Sequence, residues 1–110
     1  MHKIEIKNNL LRYIREFFYA EDFFEVETPI ILKSPCIEEY INAINCGKYY
    51  LRTSPELFHK KILSKGYQKI FEIGKCFREG EIGDFHNPEY TMLEWYRVNS
   101  SYKTMLDETY

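Results

Sequence analysis

Arg78, Glu94 and Tyr96 combine a cation, an anion and a phenol within twenty residues of the chain. Glu94 and Tyr96 lie two residues apart in an apolar, strand-like segment, so they share one face of that strand. A guanidinium makes paired hydrogen bonds to phosphate or carboxylate oxygens and keeps its charge. A buried carboxylate beside a phenol suits an ammonium group. We therefore predict that Arg78 ends the neighbouring strand beside Glu94 and Tyr96, and that the three residues bind a ligand together.

The segment between the two strand-like stretches, residues 79–89, is longer than a simple reversal requires. A hairpin loop normally takes about 2 to 5 residues, and longer loops in compact domains often bind a ligand or move. Tyr90, at the exit of this segment, could stack on a flat base. Each residue also has an ordinary explanation on its own: a cross-strand ion pair, a core aromatic, a loop histidine at His86, and a first-turn acid at Glu56. The functional interpretation depends on their joint occurrence.

Apolar periodicity predicts the elements that position these residues. The first elements are a helix ending near Glu21, a strand over 23–28 stopped by Pro29, a short strand near 41–44 and a strand over 49–52. A second helix follows, with Ser54 as N-cap, Pro55 at its first position and Gly66 after its end. Strands over 70–77 and 90–98 come next, and a final helix is capped by 99–101 and runs to Tyr110. These assignments use proline as a strand terminator and the usual capping preferences. The order predicts an α+β domain with a mainly antiparallel sheet flanked by helices.

Composition narrows the classes of function. The 110 residues, 45% of them hydrophobic, are enough for one domain with a core. A net charge of -2 lacks the basic excess of proteins that bind nucleic acid through their overall charge. Cys36, Cys46 and Cys76 form no Cys-x-x-Cys pair, so we predict no metal site and expect buried free thiols in a reducing compartment. The N-terminal segment has no long apolar run, and we expect a cytoplasmic protein without a membrane span.

The joint pattern resembles the catalytic domains of class II aminoacyl-tRNA synthetases, specifically their lysine branch. Phe-Glu-Val-Glu-Thr-Pro at 24–29, with its preceding helix, resembles motif 1 (about 11–30), which builds the dimer interface in this superfamily. Residues 77–97 resemble the highly specific motif 2 (about 70–97), and residues 50–56 resemble the segment that holds the amino acid. The resemblance implies that residues 1–110 are the N-terminal portion of such a catalytic domain, and that it forms a homodimer through motif 1.

The resemblance also implies roles for the matching residues. Arg78 would be the catalytic residue, holding the α-phosphate of ATP during adenylation. The implied ATP site consists of Arg78, Glu79, Gly80, His86, Asn87 and Tyr90, and the implied amino acid site consists of Ser54, Pro55, Glu56, Glu94 and Tyr96. Mg²⁺ is expected, with ligands mostly outside this chain. Motif 2 usually has a glutamate where this chain has Gly80, so Glu79 and Glu81 both stay open as partners of the adenine amine.

Within the lysine branch, the chain is most similar to the elongation factor P–(R)-β-lysine ligases. The helix of motif 1 begins almost at Met1, whereas lysyl-tRNA synthetases have an anticodon-binding domain before it. The implied function is ATP-dependent activation of lysine or (R)-β-lysine and transfer to a lysine of elongation factor P. A ligase acting on tRNA-Lys and a non-catalytic truncated paralogue stay open. Motif 3 is absent, so we expect the 110 residues alone to be inactive.

Overall fold

The computed structural model describes residues 2–33, 44–78, 88–98 and 102–108, the last range as backbone only. Its elements are helices α1 (His2–Ala20) and α2 (Glu56–Ser64) and strands β1 (Phe24–Glu25), β2 (Ile31–Leu32), β3 (Ile44–Cys46), β4 (Tyr49–Leu51), β5 (Lys69–Phe77), β6 (Glu89–Arg97) and β7 (Tyr102–Glu108). They form a four-stranded sheet, β1-β5-β6-β7, and a three-stranded sheet, β2-β4-β3. Of the pairings in these ranges, β1–β5 alone is parallel. The predicted α+β class with a mainly antiparallel sheet is confirmed.

The segment after β6 is a strand, so the predicted final helix is wrong. Arg97 pairs with Tyr102, and β7 runs antiparallel to β6 along its whole length. The triad 99–101, which we interpreted as a helix cap, lies outside the described residues. Pairing with β6 supplies backbone partners along one side of β7, and such tertiary pairing overrides a local helix-start signal.

Helix α1 ends as predicted, near Glu21, through a C-terminal motif that uses an unusual residue. Asp22 has a positive φ of 64°, in the left-handed region that glycine usually occupies. The amide of Asp22 donates to the Tyr19 carbonyl at 3.0 Å, and the amide of Phe23 donates to the Phe18 carbonyl at 2.9 Å. Phe18 and Phe23 also pack with ring centroids 4.9 Å apart. These two backbone hydrogen bonds and the contact between Phe18 and Phe23 form a Schellman motif, which leads the chain from α1 into β1.

The β5–β6 pair has two chemically different faces, because alternate residues of a strand point to opposite sides. One face packs against α1: Phe71 and Leu93 join Phe18 and Phe23 in a buried cluster. Phe18 stacks on Phe71 with ring centroids 4.5 Å apart. The opposite face, which we call the site face, consists of Ile70, Glu72, Gly74 and Cys76 of β5 and Tyr90, Met92, Glu94 and Tyr96 of β6. The site face therefore carries one carboxylate from each strand, Glu72 and Glu94.

Helix α2 supplies a buried histidine to the site face. Its N-cap is Pro55, so the predicted N-cap at Ser54 is wrong by one residue. Ser54 Oγ accepts a long hydrogen bond, 3.4 Å, from the amide of Glu56. Gly66 follows the helix with a φ of 105°, as predicted from its freedom to adopt positive φ. His59, in the middle of α2, is completely buried.

The two described cysteines differ in their exposure to solvent. Cys76 is buried, as predicted, but Cys46 is exposed, because it ends the short strand β3 beside the turn at Gly47. Cys36 lies outside the described residues. Neither described helix combines the length and the apolar character needed to cross a bilayer.

Candidate active site

A buried network of charges occupies the site face, with Glu72 at its centre. Glu72 Oε2 accepts hydrogen bonds from the amide of Thr28 at 3.0 Å and from Arg52 Nη1 at 3.3 Å. Glu72 Oε1 accepts from Thr28 Oγ1 at 2.7 Å and lies 2.7 Å from His59 Nε2. Arg52, His59 and Glu72 are each at most 3% exposed. Buried charges of this kind are tolerated because each one has several partners.

Arg52 reaches this network from the end of β4. Its Nε donates to the Lys75 carbonyl at 2.9 Å, and its Nη1 donates to Thr28 Oγ1 at 2.7 Å. Its Nη2 occupies the space above Gly74, where an added Cβ would overlap it. Glycine in the middle of β5 thus permits the close approach of the guanidinium to the sheet.

Glu94 forms the other end of the network. Its Oε2 lies 3.1 Å from His59 Nδ1, an ion-pair distance without an aligned hydrogen bond, and accepts a long hydrogen bond of 3.4 Å from Tyr96 Oη. The Tyr96 ring also meets the His59 ring edge-on, with centroids 5.5 Å apart. Glu94 is fully buried, and its Oε1 has no hydrogen-bond partner among the described residues. An unpaired buried carboxylate oxygen is costly, so this atom is the natural acceptor for a ligand cation.

The network shifts the pKa of its members in opposite directions. Burial alone would lower the pKa of His59, but the hydrogen bond to Glu72 and the close carboxylate of Glu94 outweigh burial and raise it. Burial alone would raise the pKa of Glu72, but its hydrogen bonds from His59 and Thr28 and the charge of Arg52 lower it. Both shifts favour the charged forms, which is consistent with ion pairing inside the protein.

The uncharged groups next to this network stay uncharged at neutral pH. Burial raises the pKa of Tyr96, and the negative charges of Glu94 and Glu56 raise it further. Burial likewise raises the pKa of Cys76 to about 12. Tyr96 is therefore a hydrogen-bond donor, and Cys76 is a packed thiol without nucleophilic character.

Arg78 does not lie beside Glu94 and Tyr96, so that prediction is wrong. The amide of Arg78 donates to the Pro88 carbonyl at 3.0 Å, whereas Glu94 pairs with Glu72. Glu94 comes six residues after Pro88, the neighbour of Arg78, which corresponds to roughly 20 Å at about 3.3 Å per residue. The reason is the hairpin geometry: the end of β5 meets the start of β6, and Glu94 is in the second half of β6.

Arg78 instead forms a second centre with Tyr90 at the opposite end of the site face. The Arg78 Cζ lies 5.3 Å from the centroid of the Tyr90 ring, and Tyr90 Oη donates to the Thr53 carbonyl at 2.7 Å. A guanidinium over an aromatic ring suits a nucleotide, because phosphate binds arginine and a base stacks on a ring. Tyr90 is buried and the Arg78 guanidinium lies over its ring, and the predicted roles of the two residues toward ATP stay predictions.

The remaining predicted residues fall into two groups. Ser54, Pro55 and Glu56 form the start of α2, and Glu56 is close enough to Tyr96 to affect its pKa. Glu56, Glu94 and Tyr96 are therefore near one another, and the roles of all five residues toward an amino acid stay predictions. Glu79, Gly80, His86 and Asn87 lie outside the described residues, and their roles stay predictions. In the ranges that are described, no group of three or more His, Cys, Asp or Glu is arranged to hold a metal ion.

Sequence reasoning missed Thr28, Arg52, His59 and Glu72. One signal was available: Glu72 and Gly74 interrupt an apolar strand at alternate positions, and a glycine inside a strand marks the close approach of another group. That signal predicts a partner above β5, but it does not identify Arg52. His59 carried no signal, because a single polar residue in a short helix is normally exposed.

Comparison with known proteins identifies the family. The family model for class II tRNA synthetases (D, K and N) matches residues 1–109. The chain belongs to this family. A crystal structure of an aspartyl-tRNA synthetase from Leishmania major Friedlin shares the fold, with a TM-score of 0.68 and 24% identity over 83% of this chain and 18% of that one. The resemblance to a partial class II synthetase domain is confirmed.

The curated relatives include two kinds of ligase. The lysine–tRNA ligase of Saccharolobus solfataricus is 40% identical in an alignment of 113 positions that covers 96% of this chain and 22% of the relative. The elongation factor P–(R)-β-lysine ligase of Vibrio cholerae is 35% identical in an alignment of 116 positions that covers 96% of this chain and 36% of the relative. The chain thus spans little more than a third, at most, of either relative.

Proposed function

We propose that this chain supplies the amino acid site and part of the ATP site of a ligase that activates lysine or (R)-β-lysine. The observation that carries the proposal is Glu94, a fully buried carboxylate with one oxygen near His59 and Tyr96 and the other lacking a partner among the described residues. An ammonium group would satisfy that oxygen and neutralise the buried charge. Relatives named as ligases of lysine or β-lysine support this choice of amine.

In this proposal, the substrate amine and ATP bind at opposite ends of the site face. The ammonium of the substrate would lie at Glu94 and Tyr96, its α-end near Glu56, and ATP near Arg78 and Tyr90. A substrate carboxylate oxygen would attack the α-phosphorus of ATP, forming the acyl–phosphate bond and releasing pyrophosphate. No protein nucleophile is needed, and Arg78 would stabilise the charge that develops at the α-phosphate. Loss of one such contact typically costs about 3 to 4 kcal/mol of transition-state stabilisation.

Substitution at Glu94 tests the activation step. Lysine-dependent exchange between ATP and pyrophosphate is measured with the full-length gene product and with Glu94→Gln, which keeps the shape and removes the charge. A charged hydrogen bond is worth about 1.5 to 3 kcal/mol, so we expect KM for lysine to rise roughly 10- to 200-fold. Glu21→Gln, the same change at an exposed residue, should leave KM within about twofold. Unchanged KM in Glu94→Gln, or no exchange with any diamino acid, would refute the proposal.

The acceptor is a separate question, with two candidates. We propose transfer to a lysine of elongation factor P, which the absence of a basic excess in the sequence supports. A lysine–tRNA ligase is the second candidate, favoured by the 40% identity to the Saccharolobus solfataricus enzyme. The full-length gene product is supplied with ATP and labelled lysine or (R)-β-lysine, together with either elongation factor P or tRNA-Lys. Labelling of the tRNA alone would overturn the first choice.

A further inference from the structure

His59 has no part in the function proposed above, yet its contacts link the two buried glutamates. Its Nε2 lies 2.7 Å from Glu72 Oε1, and its Nδ1 lies 3.1 Å from Glu94 Oε2. Arg52 pairs with Glu72, so His59 is the one cationic group that contacts Glu94 in the described ranges. The four groups form a row of alternating charge: Arg52, Glu72, His59, Glu94.

We propose that His59 is a positioning residue that shares the Glu94 carboxylate with the ammonium group of the substrate. The inference rests on the proposed function, because it requires an ammonium at Glu94 Oε1. His59 lies against Oε2, which orients the Glu94 carboxylate so that Oε1, which has no partner among the described residues, can accept a ligand. The charge of His59 then sets how strongly Glu94 attracts the ammonium.

The charge balance of the row gives the direction of this effect. When His59 is protonated, the charges of Arg52 and His59 balance those of Glu72 and Glu94, and a bound ammonium adds an uncompensated charge. When His59 is neutral, the row carries one net negative charge, which the ammonium neutralises. The ammonium and the imidazolium proton therefore compete for Glu94. By reciprocal coupling, binding of the ammonium lowers the pKa of His59, and deprotonation of His59 strengthens ammonium binding.

The other groups that face His59 do not change this balance. From β5 it meets Glu72, from β6 it meets Glu94 and the neutral phenol of Tyr96, and Arg52 acts on it through Glu72. On its own helix, Glu56 lies one turn away and forms an ion pair with Lys60 at 3.2 Å. Cys76, also on the site face, stays a neutral thiol because its pKa is raised to about 12.

Titration of the imidazole nitrogens by NMR tests the proposal. The full-length gene product is titrated between about pH 5 and 9 with and without saturating L-lysine, and the His59 signals are assigned by their loss in His59→Gln. We expect lysine to lower the pKa of His59 by about one unit, which corresponds to tenfold tighter binding to the neutral form. L-Norleucine at the same concentration, which lacks the side-chain amine, should leave the pKa of His59 unchanged.

Steady-state kinetics supply a readout that a purely structural role would not alter. In the unmodified protein, KM for lysine should fall as pH rises through the pKa of His59, with kcat changing less. In His59→Gln this pH dependence of KM should vanish. If His59→Gln does not fold, calorimetry of lysine binding to the unmodified protein replaces it. Measurements in buffers of different ionisation enthalpy should show that lysine binding releases protons.

The outcomes separate the inference from the function on which it rests. Lysine that binds without shifting the pKa of His59 and without releasing protons would overturn the role of His59, while leaving lysine activation in place. A pH dependence of KM that persists in His59→Gln would do the same. Failure of both lysine and (R)-β-lysine to bind at any pH would refute the proposed function itself.

Discussion

Arg52 connects three separate segments of the chain through a single buried guanidinium. It donates to the Lys75 carbonyl of β5 and to both oxygens of Thr28, and it forms an ion pair with Glu72. Buried ion pairs add little to stability relative to apolar side chains of the same volume, but removal of one partner leaves an uncompensated buried charge. At the scale of the residue, the site therefore depends on complete pairing.

Replacement of Arg52 by methionine should strongly destabilise the fold. The change removes the partner of the Glu72 carboxylate and three hydrogen bonds, so we expect the free energy of unfolding to fall by about 3 to 5 kcal/mol. Urea denaturation followed by circular dichroism measures it. Arg97→Met is the matched control, because Arg97 forms an exposed ion pair with Glu21 at 3.4 Å. Such pairs contribute under about 1 kcal/mol, and equal losses in the two variants would contradict this account.

The sequence could predict which face Glu94 and Tyr96 occupy, but not their distance from Arg78. Alternation along a strand assigns each residue to a face, and Arg78 does contact Tyr90 of the same face. Position along the sheet depends on the register, which pairs Phe77 with Glu89. The turn normally sets the register of a hairpin, and a connection of roughly ten residues leaves it open.

At the scale of the elements, the sequence of β5 makes room for Arg52. Gly74 is paired with Met92 in the middle of the strand, and it leaves the space that Arg52 fills. The short strand β1, predicted over 23–28, has only two residues, because Thr28 turns to bind Glu72 rather than continuing the ladder. Local patterns predicted most elements; β7 was mistaken for a helix because its structure depends on β6.

Gly74→Ala should destabilise the protein through Arg52 and not through the strand itself. An added Cβ would overlap Arg52 Nη2 and come 3.1 Å from Glu72 Oε2. Such overpacking typically costs about 1 to 3 kcal/mol. In an Arg52→Met background the same substitution should cost clearly less, because the methionine can move aside. A double-mutant cycle from urea denaturation measures this coupling, and strictly additive costs would show that Arg52 does not occupy the space.

Helix α1 presents a second apolar stripe besides the one that packs on the sheet. Ile6, Tyr13 and Phe17 follow a helical spacing and are exposed, whereas Ile14 and Phe18 face the core. A monomeric protein seldom leaves such a stripe uncovered. The homodimer expected from the resemblance of this region to motif 1 stays a prediction, and the exposed stripe supports it.

For the whole molecule, the lowered pKa of Glu72 and the raised pKa of His59 define the pH range in which the buried network contributes most to stability. The pKa of Glu72 is below its ordinary value of 4.5, so its contribution is complete above that value and is lost as pH falls through the folded-state pKa. The pKa of His59 is above its ordinary value of 6.5, so its contribution is complete below that value and is lost as pH rises through the folded-state pKa. The contribution of the network is therefore largest between these limits.

His59→Gln should flatten the alkaline side of this profile and change the acid side less, because Thr28 and Arg52 still lower the pKa of Glu72. The measurement is the free energy of unfolding in urea at half-unit steps from about pH 3 to 9. His2→Gln, at an exposed residue of α1, should keep the shape of the unmodified protein. If the stability of His59→Gln still fell on the alkaline side as steeply as before, the source of that loss would lie elsewhere.

The span between Arg78 and Glu94 belongs to the backbone of one strand pair, so side-chain rotation adjusts it little. If ATP is held at one end and the amine at the other, the fixed distance favours amino acids of one length. Ornithine, one methylene shorter than lysine, should then react less well, because its carboxylate would lie farther from ATP when its amine is at Glu94. A single methylene is worth about 10- to 200-fold in discrimination, which competition between the two amino acids in pyrophosphate exchange would reveal. Equal turnover of both would mean that chain length is selected by some other part of the protein.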